Sequence, residues 1–455
     1  MALPTDVNLL LKNALRIIQH RGQESAGIAV HDGGLKYIRG MGLVHEVLCG
    51  REFEGLRGTV GIGHVRYSTS GSSLSEGCQP IVVRTSAGEI ALGHNGDITN
   101  AGRLREKLQR DGWAFLTDSD SEIIVRILAN ELSETKDPFK AIKDTMRMLE
   151  GAYSLVILIQ GRVFGVRDPY GFRPLCVGSL AGGHAIASES AVFDILNGEF
   201  MRDLEPGEIV EVTTGGIRSA RIPEASNRAH CMFEWVYFAR PDSIVDGKEV
   251  YQARKNIGRI LARECPVEAD VIVAVPDSGR GHAVGFHEGS GLKYDEGLMK
   301  NRYIERTFIM PEQGAREESV SLKLNPIRSS IEGKRVVLVD DSIVRGTTLK
   351  KIVQIVRRAG AKEVHLRIGS PPIRAPCFYG VDMKTRDQFV ATGKSVSEIA
   401  KALIADSLGY ISIDGLVEAL GIPKNDLCLA CLTGEYPTTI PGEKERFQRR
   451  LDVSF

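Results

Sequence analysis

Asp340 and Asp341 follow the apolar run Val336-Val337-Leu338-Val339, and Ser342-Ile343-Val344-Arg345-Gly346-Thr347-Thr348 follow them. β-branched residues without polar alternation predict a parallel strand covered on both faces. The carboxyl end of such a strand is where open α/β sheets bind ligands. Paired carboxylates there can accept hydrogen bonds from ribose hydroxyls and hold Mg²⁺, which takes oxygen ligands shared with substrate phosphates. The stretch from Ser342 to Thr348 adds hydroxyls, N–H groups and Arg345 at the start of a predicted helix, whose dipole favours an anion. The ligand called for is a ribose bearing a 5′-phosphate and a pyrophosphate. An ordinary strand–loop–helix turn would leave two aspartates at a buried edge without partners.

Other segments carry chemistry at lower specificity. Val275-Pro276-Asp277-Ser278-Gly279-Arg280-Gly281 closes a second apolar run. Alone it reads as a turn; beside the aspartate pair it offers donors to a pyrophosphate. Lys300–Thr307 and Arg316–Lys323 form a long polar stretch, either a functional loop or a solvated basic face. Cys428-x-x-Cys431 suits zinc, an iron–sulfur centre or redox use. In the first half, His64-Val65-Arg66-Tyr67, His94-Asn95-Gly96-Asp97 and Asp118-Ser119-Asp120-Ser121-Glu122 place polar groups beside predicted strands and a helix.

The elements that must position these groups divide at about residue 225. Residues 1–225 alternate short strands and glycine turns with amphipathic helices, including Ser121–Leu132 and Pro138–Leu149. This predicts a sheet-on-sheet core with outer helices. A polar, irregular stretch from Val212 to about Arg228 marks the boundary. Residues 226–455 read as an α/β pattern: strands at Val271–Val275, Val336–Val339 and Glu363–Ile368, and a helix at Thr348–Ala359 ended by Gly360. Ser395 and Glu398 make a capping box. The 455 residues carry zero formal net charge, evenly spread, which excludes an electrostatic nucleic-acid or acidic-membrane binder. No apolar run approaches a membrane span. Eight unevenly spaced cysteines are no disulfide framework and fit a reducing cytoplasm. Cys49, Cys78, Cys176 and Cys265 read as ordinary buried thiols, Cys49 in a strand region.

Three segments together carry a family resemblance over nearly the whole chain. Asp340 to Thr348 resembles the phosphoribosyl-pyrophosphate (PRPP) signature of type I phosphoribosyltransferases. With Gln19-His20-Arg21-Gly22-Gln23-Glu24-Ser25-Ala26-Gly27 and Cys428-Leu429-Ala430-Cys431 it resembles the cluster-bearing branch of the glutamine PRPP amidotransferases. The resemblance implies an α+β Ntn-hydrolase-type αββα sandwich over 1–225, followed by a type I phosphoribosyltransferase domain with a parallel sheet over 226–455. PRPP would meet Asp277, Ser278, Gly279, Arg302, Arg306, Asp340, Asp341, Ser342, Arg345, Gly346, Thr347 and Thr348, with Mg²⁺ at Ser278, Asp340 and Asp341. Cys231, Cys377, Cys428 and Cys431 would bind a structural [4Fe–4S] cluster; four thiolates also suit Zn²⁺, the less favoured occupant. Arg66 would clamp glutamine's carboxylate, Asp120 its amino group, and Asn95 with the Gly96 N–H would form an oxyanion hole. Glu305 stands where the family has glycine, Ser321 where it has a basic residue, and Asp97 where it has asparagine. Also implied are a homotetramer and feedback inhibition by purine nucleotides.

The family's glutaminase nucleophile is an amino-terminal cysteine, whose α-amino group serves as base. Here the chain starts Met1-Ala2-Leu3-Pro4-Thr5-Asp6 and its first cysteine is Cys49. Thr5 and Asp6 read as helix N-cap residues. Two expectations follow: an internal recorded start, which the retained Arg66, Asn95 and Asp120 favour, or a chain that uses ammonia and not glutamine. A non-catalytic PRPP- or nucleotide-binding regulator is the alternative, opposed by the retained aspartate pair. A salvage phosphoribosyltransferase ranks last, having no need of the amino-terminal half.

Overall fold

Alternate residues of Ser25–His31 enter different cores, and this alternation sets the architecture. Ile28 and Val30 pack with Leu11, Ala14 and Leu15 of helix α1 (Asn8–Ile17), while Ala29 joins Ile62, Ala91, Leu158, Val177 and Val210 between two sheets. The computed structural model describes residues 1–67, 75–85, 88–223, 227–301, 324–383 and 389–441. Met1–Cys231, with Cys377–Asp382 and the stretch from Tyr436, form one unit; Met232–Pro376 and Met383–Glu435 form the other.

In the first unit, β1 (Ser25–His31), β2 (Leu35–Met41), β3 (Val60–Arg66), β8 (Cys176–Leu180), β9 (Gly183–Ala187) and β10 (Glu199–Asp203) make one layer, in triplets ordered β2-β1-β3 and β10-β8-β9. Ala2 bridges Val60 and His184, both antiparallel, so a short piece of strand joins the triplets where the sequence predicts none. The Met1 amine donates to Gly61 O at 2.8 Å, and burial pushes it down to about 5. The second layer is antiparallel: β12 (Ile217–Arg221), β11 (Glu208–Val212), β7 (Arg162–Arg167), β6 (Gly151–Ile159), β5 (Gly88–Ile98) and β4 (Ile81–Thr85), in that order. Its outer face is covered by helices α2 (Asp120–Thr135) and α3 (Pro138–Met148), through Ile124, Ile127, Leu128, Phe139 and Ile142. This is the expected αββα sandwich. Each fully buried Leu, Ile or Phe in it contributes about 1.5–3 kcal/mol.

The second unit carries a parallel sheet, ordered β13 (Val271–Ala274), β14 (Arg335–Asp340), β15 (Glu363–Ile368) and β16 (Ser407–Tyr410). Val336, Leu338, Val364 and Leu366 pack on one face with Ile352, Val353 and Val356 of helix α6 (Thr347–Arg358), which follows α4 (Val250–Glu264) and α5 (Arg280–Ser290) along the chain. The Ser395–Glu398 capping box forms with both reciprocal bonds.

Several local expectations are corrected. The irregular stretch after Val212 contains the edge strand β12, whose exposed Arg218 and Ser219 hide it from an apolar pattern. Cys49 is exposed, not buried and not in a strand: it sits between two short helices and its thiol donates to Glu46 O. Asp6 does not cap the first helix, whose N-cap is Val7; its carboxylate accepts from the Gly58 N–H and Arg57 instead.

Candidate active sites

In the second unit, Asp340 is the last residue of β14, and its carboxylate accepts the Asp341 N–H at 2.9 Å. The Asp341 side chain is buried and accepts from Ser342 Oγ at 2.5 Å, with the Ser278 hydroxyl also bonded to it. Burial, then the neighbouring Asp341 carboxyl, push Asp340 well above the usual carboxylate range; burial raises Asp341 too, against the pull of the two serine hydroxyls and Arg254. Two carboxyls held this way would gain from a nearby cation. Among the described residues no group of three or more His, Cys, Asp or Glu side chains is gathered for a metal. Mg²⁺ asks less of a protein, being held by one or two carboxylates with substrate oxygens completing its shell, and the Ser278, Asp340 and Asp341 oxygens fit that demand.

The anion cradle lies beside it. Gly346, at φ 77°, precedes α6, and no side chain caps that helix. The first turn of α6 is therefore without a side-chain cap, and Arg345, Thr347 and Thr348 beside it are exposed, an arrangement that could receive an anion. Gly279 closes the other loop, its N–H bonded to Val275 O; a Cβ there would sit 2.5 Å from Val339 O, so the backbones can approach only with glycine. Asp277 is exposed and paired with Lys300 at 2.6 Å. Arg302 and Arg306, with Glu305 and Ser321, lie outside the described residues.

The sequence reading missed Arg254. It lies on the apolar face of α4 with Val250, Ala253, Ile257 and Leu261, is buried, and donates to the carbonyls of Trp235, Tyr237 and Ala239. A charged residue in phase with an apolar helix stripe is the signal that could have found it.

In the first unit, Arg66 ends β3 and is buried. Asn95 and Gly96 lie within β5, which continues to Ile98. Asp120 opens α2; one of its oxygens accepts the Ile98 N–H at 3.2 Å and the other lies 3.6 Å from His94 Nδ1. β5 thus brings Asn95, Gly96 and Asp120 together. His64, two residues before Arg66, meets the same strand through His94 O at 3.0 Å.

Beneath them runs a buried polar network that the sequence reading also missed. Gln79 accepts the His94 N–H at 2.7 Å and donates to Ser121 Oγ at 3.0 Å, which lies 3.1 Å from His94 Nδ1. Burial opposes charge on His94, but the Asp120 carboxylate outweighs it and raises the imidazole above its ordinary value. Burial likewise opposes the Asp120 anion, yet His94 and the Ile98 and Ser121 N–H groups hold it at about 2. The result is a buried His–Asp pair in which each group favours the charged form of the other.

Of the four cysteines named for a cluster, Cys231 and Cys377 belong to the first unit and Cys428 and Cys431 to the second, and all four are reduced, outside any disulfide. Cys377 Sγ accepts the Tyr379 N–H at 3.4 Å.

A glutamine-type sandwich and a PRPP-type parallel sheet on one chain define a glutamine amidotransferase joined to a phosphoribosyltransferase. Residues 64–194 match the glutamine amidotransferase domain model and 242–368 the phosphoribosyl transferase domain model. The chain belongs to the amidophosphoribosyltransferase family. It is 51% identical over 443 residues to the amidophosphoribosyltransferase of Methanocaldococcus jannaschii, covering 94% of each chain. To that of Archaeoglobus fulgidus it is 52% identical over 429 residues, again covering 94% of each. The glutamine PRPP amidotransferase from B. subtilis complexed with ADP and GMP superposes with a TM-score of 0.89 at 42% identity, over 97% of each chain.

Proposed function

We propose that the protein forms 5-phosphoribosylamine and pyrophosphate from PRPP and ammonia, the first committed step of purine synthesis. The observation that carries this is the Asp340–Asp341 pair at the end of β14 beside an uncapped helix start. Asp340 and Asp341 would accept the ribose hydroxyls, while the N–H groups from Ser342 to Thr348 and Arg345 hold the phosphate. As the ammonia nitrogen bonds to C1, the C1–oxygen bond breaks and its electron pair leaves with the pyrophosphate, through an oxocarbenium-like transition state. Mg²⁺ at Ser278, Asp340 and Asp341, when bound, would neutralise the leaving group. Residues 1–225 would act as the glutaminase half, with Arg66 on the carboxylate, Asp120 on the amino group, and Asn95 and Gly96 at the oxyanion.

Pyrophosphate release from the purified chain, prepared anaerobically, tests the reading. Release that requires PRPP, ammonia and Mg²⁺ and stops with a chelator supports it. Release with glutamine as well would mean the glutaminase half also works. PRPP binding without release from either source would favour the non-catalytic regulator. Gly279→Ala is expected to weaken PRPP about tenfold or more, since its methyl must displace the Val339 carbonyl; saturation curves check this.

Cys231, Cys377, Cys428 and Cys431 offer four thiols and would hold a [4Fe–4S] cluster, a structural group tying the carboxyl-terminal segment in place. Iron and sulfide assays should return both elements, and zinc alone would give the site to Zn²⁺. Family likeness also supports a cytoplasmic homotetramer inhibited by purine nucleotides, for which light scattering and inhibition curves with purine monophosphates are the checks.

A further inference from the structure

One short segment from late in the sequence packs within the first unit against the strand that carries the expected oxyanion hole. In Cys377–Asp382, Gly380 has φ 92°, and a Cβ there would lie 2.8 Å from both the Cα and the carbonyl carbon of Gly96. The contact is backbone against backbone, so no flexible side chain can yield. Gly96 is also confined from its other side: at φ 149°, a Cβ on it would lie 2.1 Å from Ala152 O. Gly96 is thus held between the β6 backbone and residue 380.

The segment is anchored on both sides of Gly380. The buried Arg173 donates through Nε to Tyr379 O at 3.1 Å. The Tyr379 ring stacks on Phe172 at 4.2 Å between centroids and 18° between planes. Its hydroxyl bonds Thr438 Oγ1 at 2.9 Å and accepts the Thr438 N–H at 3.1 Å. Cys377 Sγ accepts the Tyr379 N–H, which tightens the turn into Gly380. An aromatic stack and a buried guanidinium bond are rigid fixings, well suited to setting a peptide plane to within a few tenths of an ångström.

Resting on the glutamine-site reading above, we infer that Gly380 is a positioning residue for that site: clamped by Arg173 and the Phe172–Tyr379 stack, it sets the Gly96 peptide so that its N–H meets the carboxamide oxygen of glutamine. This role is separate from amino-acid recognition at Arg66 and Asp120, which deal with the α-carboxylate and α-amino group.

The separation supplies the test. L-Norvaline keeps the α-groups and the three-carbon side chain of glutamine but has a methyl in place of the carboxamide. Glutamine and norvaline affinities are measured by calorimetry on the full chain and on Gly380→Ala, Tyr379→Leu and Arg66→Ala. Gly380→Ala should weaken glutamine about tenfold, the scale of one misplaced hydrogen bond, and leave norvaline within about twofold. Tyr379→Leu should show the same selectivity with a smaller loss, and it reports even if Gly380→Ala does not fold. Arg66→Ala should weaken both ligands. Equal losses of glutamine and norvaline in the Gly380 and Tyr379 variants, or no loss of glutamine, would overturn the inference while Arg66→Ala upheld the site. Glutamine binding that is absent or indifferent to Arg66→Ala would remove the site reading, and the inference with it.

Discussion

Asp341→Asn is expected to lower PRPP turnover by a factor on the order of 10²–10³ while the variant melts no lower than the unsubstituted chain in metal-free buffer. The two effects have one cause. Asp340 and Asp341 are both pushed above the ordinary carboxylate range, so the folded chain keeps protons that the unfolded chain has already released near pH 4. Without a cation, stability therefore falls as pH rises through that window, and an amide at 341 relieves the cost. Added Mg²⁺ should raise the melting temperature of the unsubstituted chain, because a ligand that binds only the folded state stabilises it. The asparagine variant should respond far less. Melting curves with and without Mg²⁺, beside a pyrophosphate assay, check both halves. A variant that melts lower and retains turnover would make Asp341 a structural residue.

His94→Ala should destabilise the first unit by about 3–5 kcal/mol, because it leaves the Asp120 anion buried without its cationic partner. His94 is raised above its ordinary value, so its contribution is present at pH values below that and fades as pH climbs through the folded value. Asp120, held at about 2, contributes above the ordinary carboxylate value near 4 and loses that contribution as pH falls towards 2. The difference between the unsubstituted chain and the variant should accordingly be widest between about pH 4 and 6.5 and shrink in alkaline buffer. His94→Gln, able to keep a hydrogen bond to Ser121, should recover part of the loss. Denaturant unfolding of the three chains at pH 5.5 and 9 settles the sign; a small, pH-independent cost would mean a neutral His94.

What the sequence made visible and what it hid differ in range. β14 and β15 are legible because a strand buried on both faces has to be a run of apolar residues, and Asp340–Asp341 stand out against it. Strand β12 is hidden because an edge strand with exposed Arg218 and Ser219 looks like a loop. Individual candidate residues stand out where a local motif carries them, as with Arg66 and Asn95-Gly96. The groups supporting them do not. Gln79, His94 and Ser121 meet only through the packing of β5 against α2, and Arg173 reaches Tyr379 across 206 residues. Arg254 left a trace in its helical phase, but its three carbonyl partners follow from a turn that no pattern announces.

Cys377–Asp382 belongs to the amino-terminal unit although its neighbours in sequence do not, which limits how far this enzyme can be taken apart. A fragment ending at Cys231 would not be a free-standing module. It would expose the Phe172 ring that Tyr379 covers, leave Arg173 without the Tyr379 carbonyl, and strip Gly96 of its backing. Shuffling such a half onto another synthase, in the laboratory or by gene fusion, would have to transplant two pieces distant in sequence. Parts that interlock in this way are inherited together.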